Sequence, residues 1–168
     1  TVVTIDYKSE ATEVVAAMQA SSAPAIAMLP QPYVTTAQMQ MENLTVALDL
    51  TEEWDKVSPD SALVTGVLVV RKDFAEANPD AVELMIQEYN SSVEYVNANV
   101  EDAAKLVVEY GIVPKEPVAV KAIPECNIVC ITGEDMKAKV SGYLNVLFEQ
   151  DASSVGGAVP ADDFYYGA

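Results

Sequence analysis

A nine-residue stretch, Ala25 to Tyr33, constrains this chain most. It reads AIAMLPQPY, a short apolar run stopped abruptly by Pro30, Gln31 and Pro32. Thr35 and Gln38 then stand at capping-box spacing and open a helical pattern. An apolar run bounded in this way reads as a buried strand that delivers polar and aromatic groups to its carboxyl end. In open α/β sheets, small ligands settle in the crevice beyond such strand ends. The stretch therefore points to capture of a small molecule, with Gln31 and Tyr33 as its contacts. A glutamine offers both donor and acceptor, and a tyrosine offers a flat apolar face with a hydroxyl. The plainer alternative is a proline-built turn with Tyr33 packed beneath it.

The neighbouring residues extend the alternation. Val2 to Tyr7 is strand-like, and Ser9 stands where an N-cap belongs, before a helix with Ala11, Val14, Val15 and Met18 on one face. At that helix start Ser9 serves either as a simple cap or as an anion contact with the free backbone N–H groups. Leu44 to Leu50 alternates, with Leu44, Val46, Leu48 and Leu50 facing one way. Strand, helix, strand, helix, strand predicts a parallel α/β layer. Beyond an acidic connector, Thr51 to Pro59, the run Ala62 to Val70 is apolar on both faces, as for a strand covered on each side. Thr65 and Gly66 interrupt it, as a local bulge or as a hinge and cleft-floor element. From Asp73 onward helices dominate. Asn78 and Pro79 begin one with a stripe of Val82, Met85, Ile86, Tyr89, Val93 and Val96. Asn99 caps the next, which closes near Gly111, and Met136, Val140, Tyr143, Leu144 and Leu147 mark another.

Charge and missing residue types narrow the function. The net charge is −17, from 26 acidic and 9 basic residues with Arg71 the one arginine, which argues against nucleic acid as a partner. No apolar run approaches the ~20 residues that a membrane-spanning helix needs. There is no histidine, so the commonest general base and the Ser-His and Cys-His pairs are excluded within the chain. Neither a Gly-rich phosphate loop nor a metal-ligand cluster is present, so no cofactor and no catalysis are expected. Cys126 and Cys130 cannot alone make the usual four-ligand zinc site; a short disulfide and two buried thiols both remain open. The start, Thr1 to Ile5, reads as a strand entered directly, and a mature fragment or an excised part of a longer protein is expected.

Several landmarks then fall in a familiar order: MLPQPY from Met28, LDLTEEW from Leu48, VTGVLVVRKDF from Val64, Asn78 with Pro79, AIPECN from Ala122, and GGAVP from Gly156 ahead of DFYY from Asp163. Together they resemble the C-terminal half of a type II solute-binding protein of an ABC importer, in the group that captures sulfonates, nitrate, taurine or thiamine precursors. The resemblance implies an α/β clamp of two lobes with its ligand in the cleft. Residues 1–60 would finish the second lobe as a βαβαβ layer. Residues 61–168 would carry the return strand and the helices of the first lobe, whose N-terminal half is absent. It further implies a non-enzymatic, extracytoplasmic protein, periplasmic or a cell-surface lipoprotein, that passes a small polar solute to a membrane permease by ligand-driven closure. The chain departs from the family at Ser21 to Ile26, where a Gly-x-x-Asp turn is expected, and at Gln31, often acidic in relatives. Two alternatives stand beside it. One is an enzyme on the same clamp that makes a pyrimidine precursor of thiamine. The other is a self-associating module, a homodimer that covers an exposed edge at Val2 to Ile5.

Overall fold

The computed structural model describes residues 4–168, and every regular element among them is a helix. In chain order these are α1 (Ala11–Ala20), α2 (Tyr33–Gln40), α3 (Leu50–Val57), α4 (Lys72–Ala77), α5 (Pro79–Ala98), α6 (Val100–Glu109), α7 (Glu116–Ala122) and α8 (Gly133–Gln150). Short 3-10 turns lie at Ile123–Glu125, Ala152–Val155 and Asp162–Phe164.

Local chemistry explains the helix ends. Asp49 caps α3, its Oδ1 accepting from the backbone nitrogens of Thr51 (2.8 Å) and Glu52 (3.3 Å). Acidic Glu52 and Glu53 in the first turn and Lys56 in the last suit the helix dipole. Helix α5 begins on Pro79, whose missing N–H costs nothing at a first turn. Past the end of α6, Gly111 adopts φ 70°, and Gly111 N and Ile112 N donate back to Val108 O (3.0 Å) and Val107 O (2.8 Å). That left-handed residue is why a glycine follows this helix.

The predicted strands do not form among the described residues. Ala25–Leu29, Leu44–Asp49 and Ala62–Val70 are irregular, as are Thr4–Tyr7; Val2, where the first strand was placed, lies outside the described residues. The parallel βαβ layer of a type II clamp is therefore corrected to a helical arrangement. A strand exists only through a hydrogen-bonded neighbour, and sequence preference measures fitness for a pleated surface rather than its presence. These runs keep strand-like composition but find no ladder here, and many of their side chains stay open to solvent: Ile26 is 100% exposed and Val69 83%, while Leu29, Leu44 and Leu63 are half-buried.

The helices gather into two compact units, each assembled from two stretches of chain. The first takes in the chain up to Thr45 together with Tyr89–Val129. Its core is Ala103 and Ala104 of α6, Val118 and Ala119 of α7, and Val113 and Ile123 beside them. Alanines at the α6–α7 crossing let the two backbones approach closely. Helix α7 also packs on α2, in which Ala37 is fully buried, and α2 packs on α1, where Gln19 Nε2 donates to Gln40 Oε1 at 2.6 Å. The placement of α2 thus depends on that small core.

The second unit comprises Val46–Glu88 and Cys130–Ala168. Trp54 of α3 leans on Tyr143 of α8 with ring centres 5.3 Å apart, and its Nε1 donates to Ser61 Oγ at 2.8 Å. Ser61 sits directly against Gly142, in the middle of α8. The C-terminal stretch is tied down by polar pairs: Lys72 Nζ to Asp163 Oδ2 at 2.6 Å, Lys137 Nζ to Asp162 Oδ1 at 3.1 Å, and Tyr166 Oη donating to Glu83 Oε1 at 3.1 Å. Hydrogen bonding to Lys72 holds the Asp163 carboxyl below its ordinary value, and Asp163 in turn raises Lys72. The carboxylate contribution is present above the ordinary carboxylate range and is lost as pH falls through the lowered value. The lysine contribution is present below the ordinary lysine value and is lost as pH rises through the raised one. Both are in force at neutral pH. On acidification below the carboxylate range, amide exchange at residues 162–166 is expected to quicken after correction for intrinsic rates, with global stability little changed because the pair is exposed. Unaltered protection in hydrogen-exchange mass spectrometry would refute this.

Candidate functional site

The turn before α2 is built from two prolines and their carbonyls. Pro30 O accepts from the backbone nitrogens of Tyr33 (2.9 Å) and Val34 (3.2 Å), and the Gln31–Pro32 bond is cis. Pro32 O accepts from both Thr36 N and Thr36 Oγ1 at 3.0 Å. Helix α2 consequently starts at Tyr33, two residues ahead of the predicted start at Thr35. The remaining first-turn donor, Thr35 N, meets Gln31 Oε1 at 3.2 Å, and Thr35 Oγ1 donates to the same oxygen at 2.9 Å. The N–H groups of Tyr33, Val34 and Thr35 are therefore satisfied within the turn. What the turn presents is side chains: Gln31 and Tyr33, both half-buried, over a Thr35 that is only 4% exposed.

Of the sequence-predicted contacts, Gln31 and Tyr33 share this one turn. Ser9 is exposed and precedes the N-cap of α1, which is Glu10. The backbone nitrogens of Ser9 (3.1 Å) and Glu10 (3.2 Å) donate to Glu13 Oε2, so the N–H groups considered for an anion already face a carboxylate. Thr65 and Gly66 belong to the second unit and are exposed. A Cβ at Gly66 would meet no atom within 4 Å, so no close backbone approach explains that glycine. Sequence reasoning missed the role of Thr35 toward Gln31. The four-residue spacing between them, one helical turn, was the available signal.

Two hollows lie elsewhere. One of about 340 Å³ in the first unit is lined by Met18, Ala23, Ala25, Met41, Glu42 and Leu44 among others. Another of about 570 Å³ in the second unit lies beside Val69, Arg71, Asp73 and Phe74. There the Arg71 guanidinium forks onto Asp73, with Nε 3.0 Å from Oδ1 and Nη2 on Oδ2, and holds that carboxyl below its ordinary value. The sole arginine is thus already paired. Cys126 and Cys130 are free thiols, and burial, helped by Glu125, pushes the Cys126 thiol up, away from the reactive thiolate. Among the described residues no group of three or more thiol or carboxylate side chains converges to hold a metal ion.

A family model described as menaquinone biosynthesis matches residues 27–145. That span includes Gln31, Tyr33, Thr35, Thr65 and Gly66 and leaves Ser9 outside. No curated protein and no solved structure gives a significant match.

Proposed function

We infer that this chain, which belongs to the menaquinone biosynthesis family, is an enzyme of that biosynthesis and holds its substrate at the turn from Pro30 to Tyr33. One observation carries the choice of site. Within the matched segment, Gln31 is fixed by two hydrogen bonds from a buried threonine and stands beside Tyr33 at the turn that opens α2, a helix packed on α7. Polar groups locked before the ligand arrives give orientation at little entropic cost.

The family corrects the importer resemblance, and with it the expected transported solute, permease partner and lipoprotein character. The landmarks that suggested a solute-binding protein span much of the segment that matches a biosynthetic family instead. The non-enzymatic expectation is corrected as well. Lack of histidine removes one kind of base, but carboxylates and orientation alone also lower barriers, so a chain without histidine can still catalyse. The thiamine-precursor alternative was nearer in kind, though not the same pathway.

Here the chain's own residues bind and orient: Gln31 by hydrogen bonding, Tyr33 by ring contact. Disrupting the coding sequence in its host is expected to abolish menaquinone in extracted quinones, and an intact copy to restore it. Unchanged menaquinone would overturn the reading. A copy carrying Gln31→Ala is expected to restore synthesis about tenfold less well, the worth of one good hydrogen bond. Full restoration by that copy would remove the turn from the site while leaving the family role intact.

A further inference from the structure

The direction of the Gln31 amide follows from chemistry. Its Oε1 faces the Thr35 backbone nitrogen at 3.2 Å and Thr35 Oγ1 at 2.9 Å. A backbone N–H can only donate, so the amide atom facing it must be the carbonyl oxygen. The flipped amide would set its NH2 against that N–H. Thr35 is 4% exposed, on a helix packed against α7, so its backbone donor is held in place. Nε2, with its two donor hydrogens, is accordingly turned away from Thr35, and it has no hydrogen-bond partner among the described residues. A residue type able to donate and accept is reduced here to a donor.

We propose that Thr35 is a positioning residue that locks Gln31 as a donor, so that the turn selects ligands carrying an acceptor oxygen, a carbonyl or a carboxylate, beside the Tyr33 ring. This rests on the turn being the substrate site. An aromatic amine, whose nitrogen lone pair is delocalised into the ring and accepts only weakly, brings mainly N–H groups to the same place and leaves the Gln31 donors poorly paired, the kind of mismatch by which hydrogen-bonding sites discriminate most strongly.

The test is an NMR titration of the ¹⁵N-labelled full chain, following the Gln31 side-chain amide and the Tyr33 backbone amide. The probes are acetophenone (carbonyl), benzoate (carboxylate) and aniline (amine). Saturable shifts are expected with acetophenone, benzoate or both, with aniline at least about tenfold weaker; the response of the first two tells which acceptor the site prefers. Gln31→Glu keeps an oxygen on Thr35 and replaces the NH2 with a second oxygen. It is expected to leave the thermal midpoint undiminished, since a carboxylate suits a helix start, and to weaken acceptor probes about tenfold or more. Thr35→Val removes the hydroxyl at similar volume but keeps the backbone N–H that sets the amide direction; it is expected to loosen the lock and lower the acceptor-to-amine ratio without reversing it, with Thr35→Ser restoring it. Aniline binding as tightly as acetophenone, or undiminished acceptor binding in Gln31→Glu, would overturn the proposal, and an unchanged ratio in Thr35→Val would overturn the positioning role of the Thr35 hydroxyl; each leaves the turn standing as a site. Absence of shifts with every probe would overturn both.

Discussion

Replacing Gly142 with valine is expected to lower unfolding stability by about 3 kcal/mol, the upper end of what overpacking costs. A Cβ at this position would stand 2.7 Å from Ser61 Cβ, 3.1 Å from Ser61 Cα and 3.1 Å from Asp60 O. Two of those neighbours are main-chain atoms and cannot swing aside as the end of a long side chain would. The turn that carries them is further held by Ser61 N donating to Ser58 O (3.1 Å), by the Ser58–Ser61 hydroxyl contact (2.8 Å) and by Trp54 Nε1. Glycine inside a helix is itself unfavourable by roughly 1 kcal/mol relative to alanine. Gly142→Ala would recover that amount and still meet the clash, so its loss should be smaller than that of valine, whose branched side chain recovers less. Urea denaturation followed by Trp54 fluorescence reads both. In Gly142→Val combined with Ser61→Gly, part of the loss should return, because the nearest clashing atom is gone. A stabilised Gly142→Val would mean that the 58–61 turn does not rest on α8.

The second large effect is expected in the other unit. Ile123→Ala should cost about 3 kcal/mol, from lost burial and from the cavity left among Ala103, Ala104, Val118 and Ala119. Ile123 is 6% exposed and belongs to the short turn that continues α7. The neighbours around it are alanines and β-branched residues, among them Val96, Val107 and Ile128, whose stiff side chains fill a new space poorly. Because α7 supports α2, a weakened α7 should also loosen the turn before α2. Faster amide exchange at Thr35 in Ile123→Ala, beside the stability loss, would register that link. A loss below about 1 kcal/mol would show that the core closes over the gap.

Helices with long periodic stripes were legible in the sequence. The Asn78 and Pro79 start, the stripe through Val82 and Val93, and the end at Gly111 all reappear in α5 and α6. Those signals are local: a proline at a first turn, a 3.6-residue period, a residue able to take positive φ. Less was legible where structure depends on distant partners. Ala62–Val70 has the composition of a covered strand, yet a ladder needs a second strand, and the composition of one run cannot supply it. Two shorter helices are harder to read. The stretch Thr51 to Pro59 reads as an acidic connector although Asp49, Glu52, Glu53 and Lys56 hold cap and dipole positions for α3, and α7, opened by Glu116 and Pro117, is too short to show a stripe. At the candidate site, Gln31 and Tyr33 were visible from residue type and the proline frame. Their orientation was not, because it depends on Thr35 being buried, and burial is set by packing against α7.

The apolar stretch from Ala62 to Val70, exposed from Thr65 onward, also bears on how the molecule keeps in a bottle. It carries no charge and no proline, and beyond Gly66 it presents Val67, Leu68, Val69 and Val70 in succession, each more than 40% exposed. Such segments readily seed fibrils when chains meet. What holds copies apart is the charge of −17, whose reach shrinks from ~30 Å in 10 mM salt to ~8 Å at physiological strength. Dilute buffer is therefore the kinder storage medium, and brine the one that invites gelling.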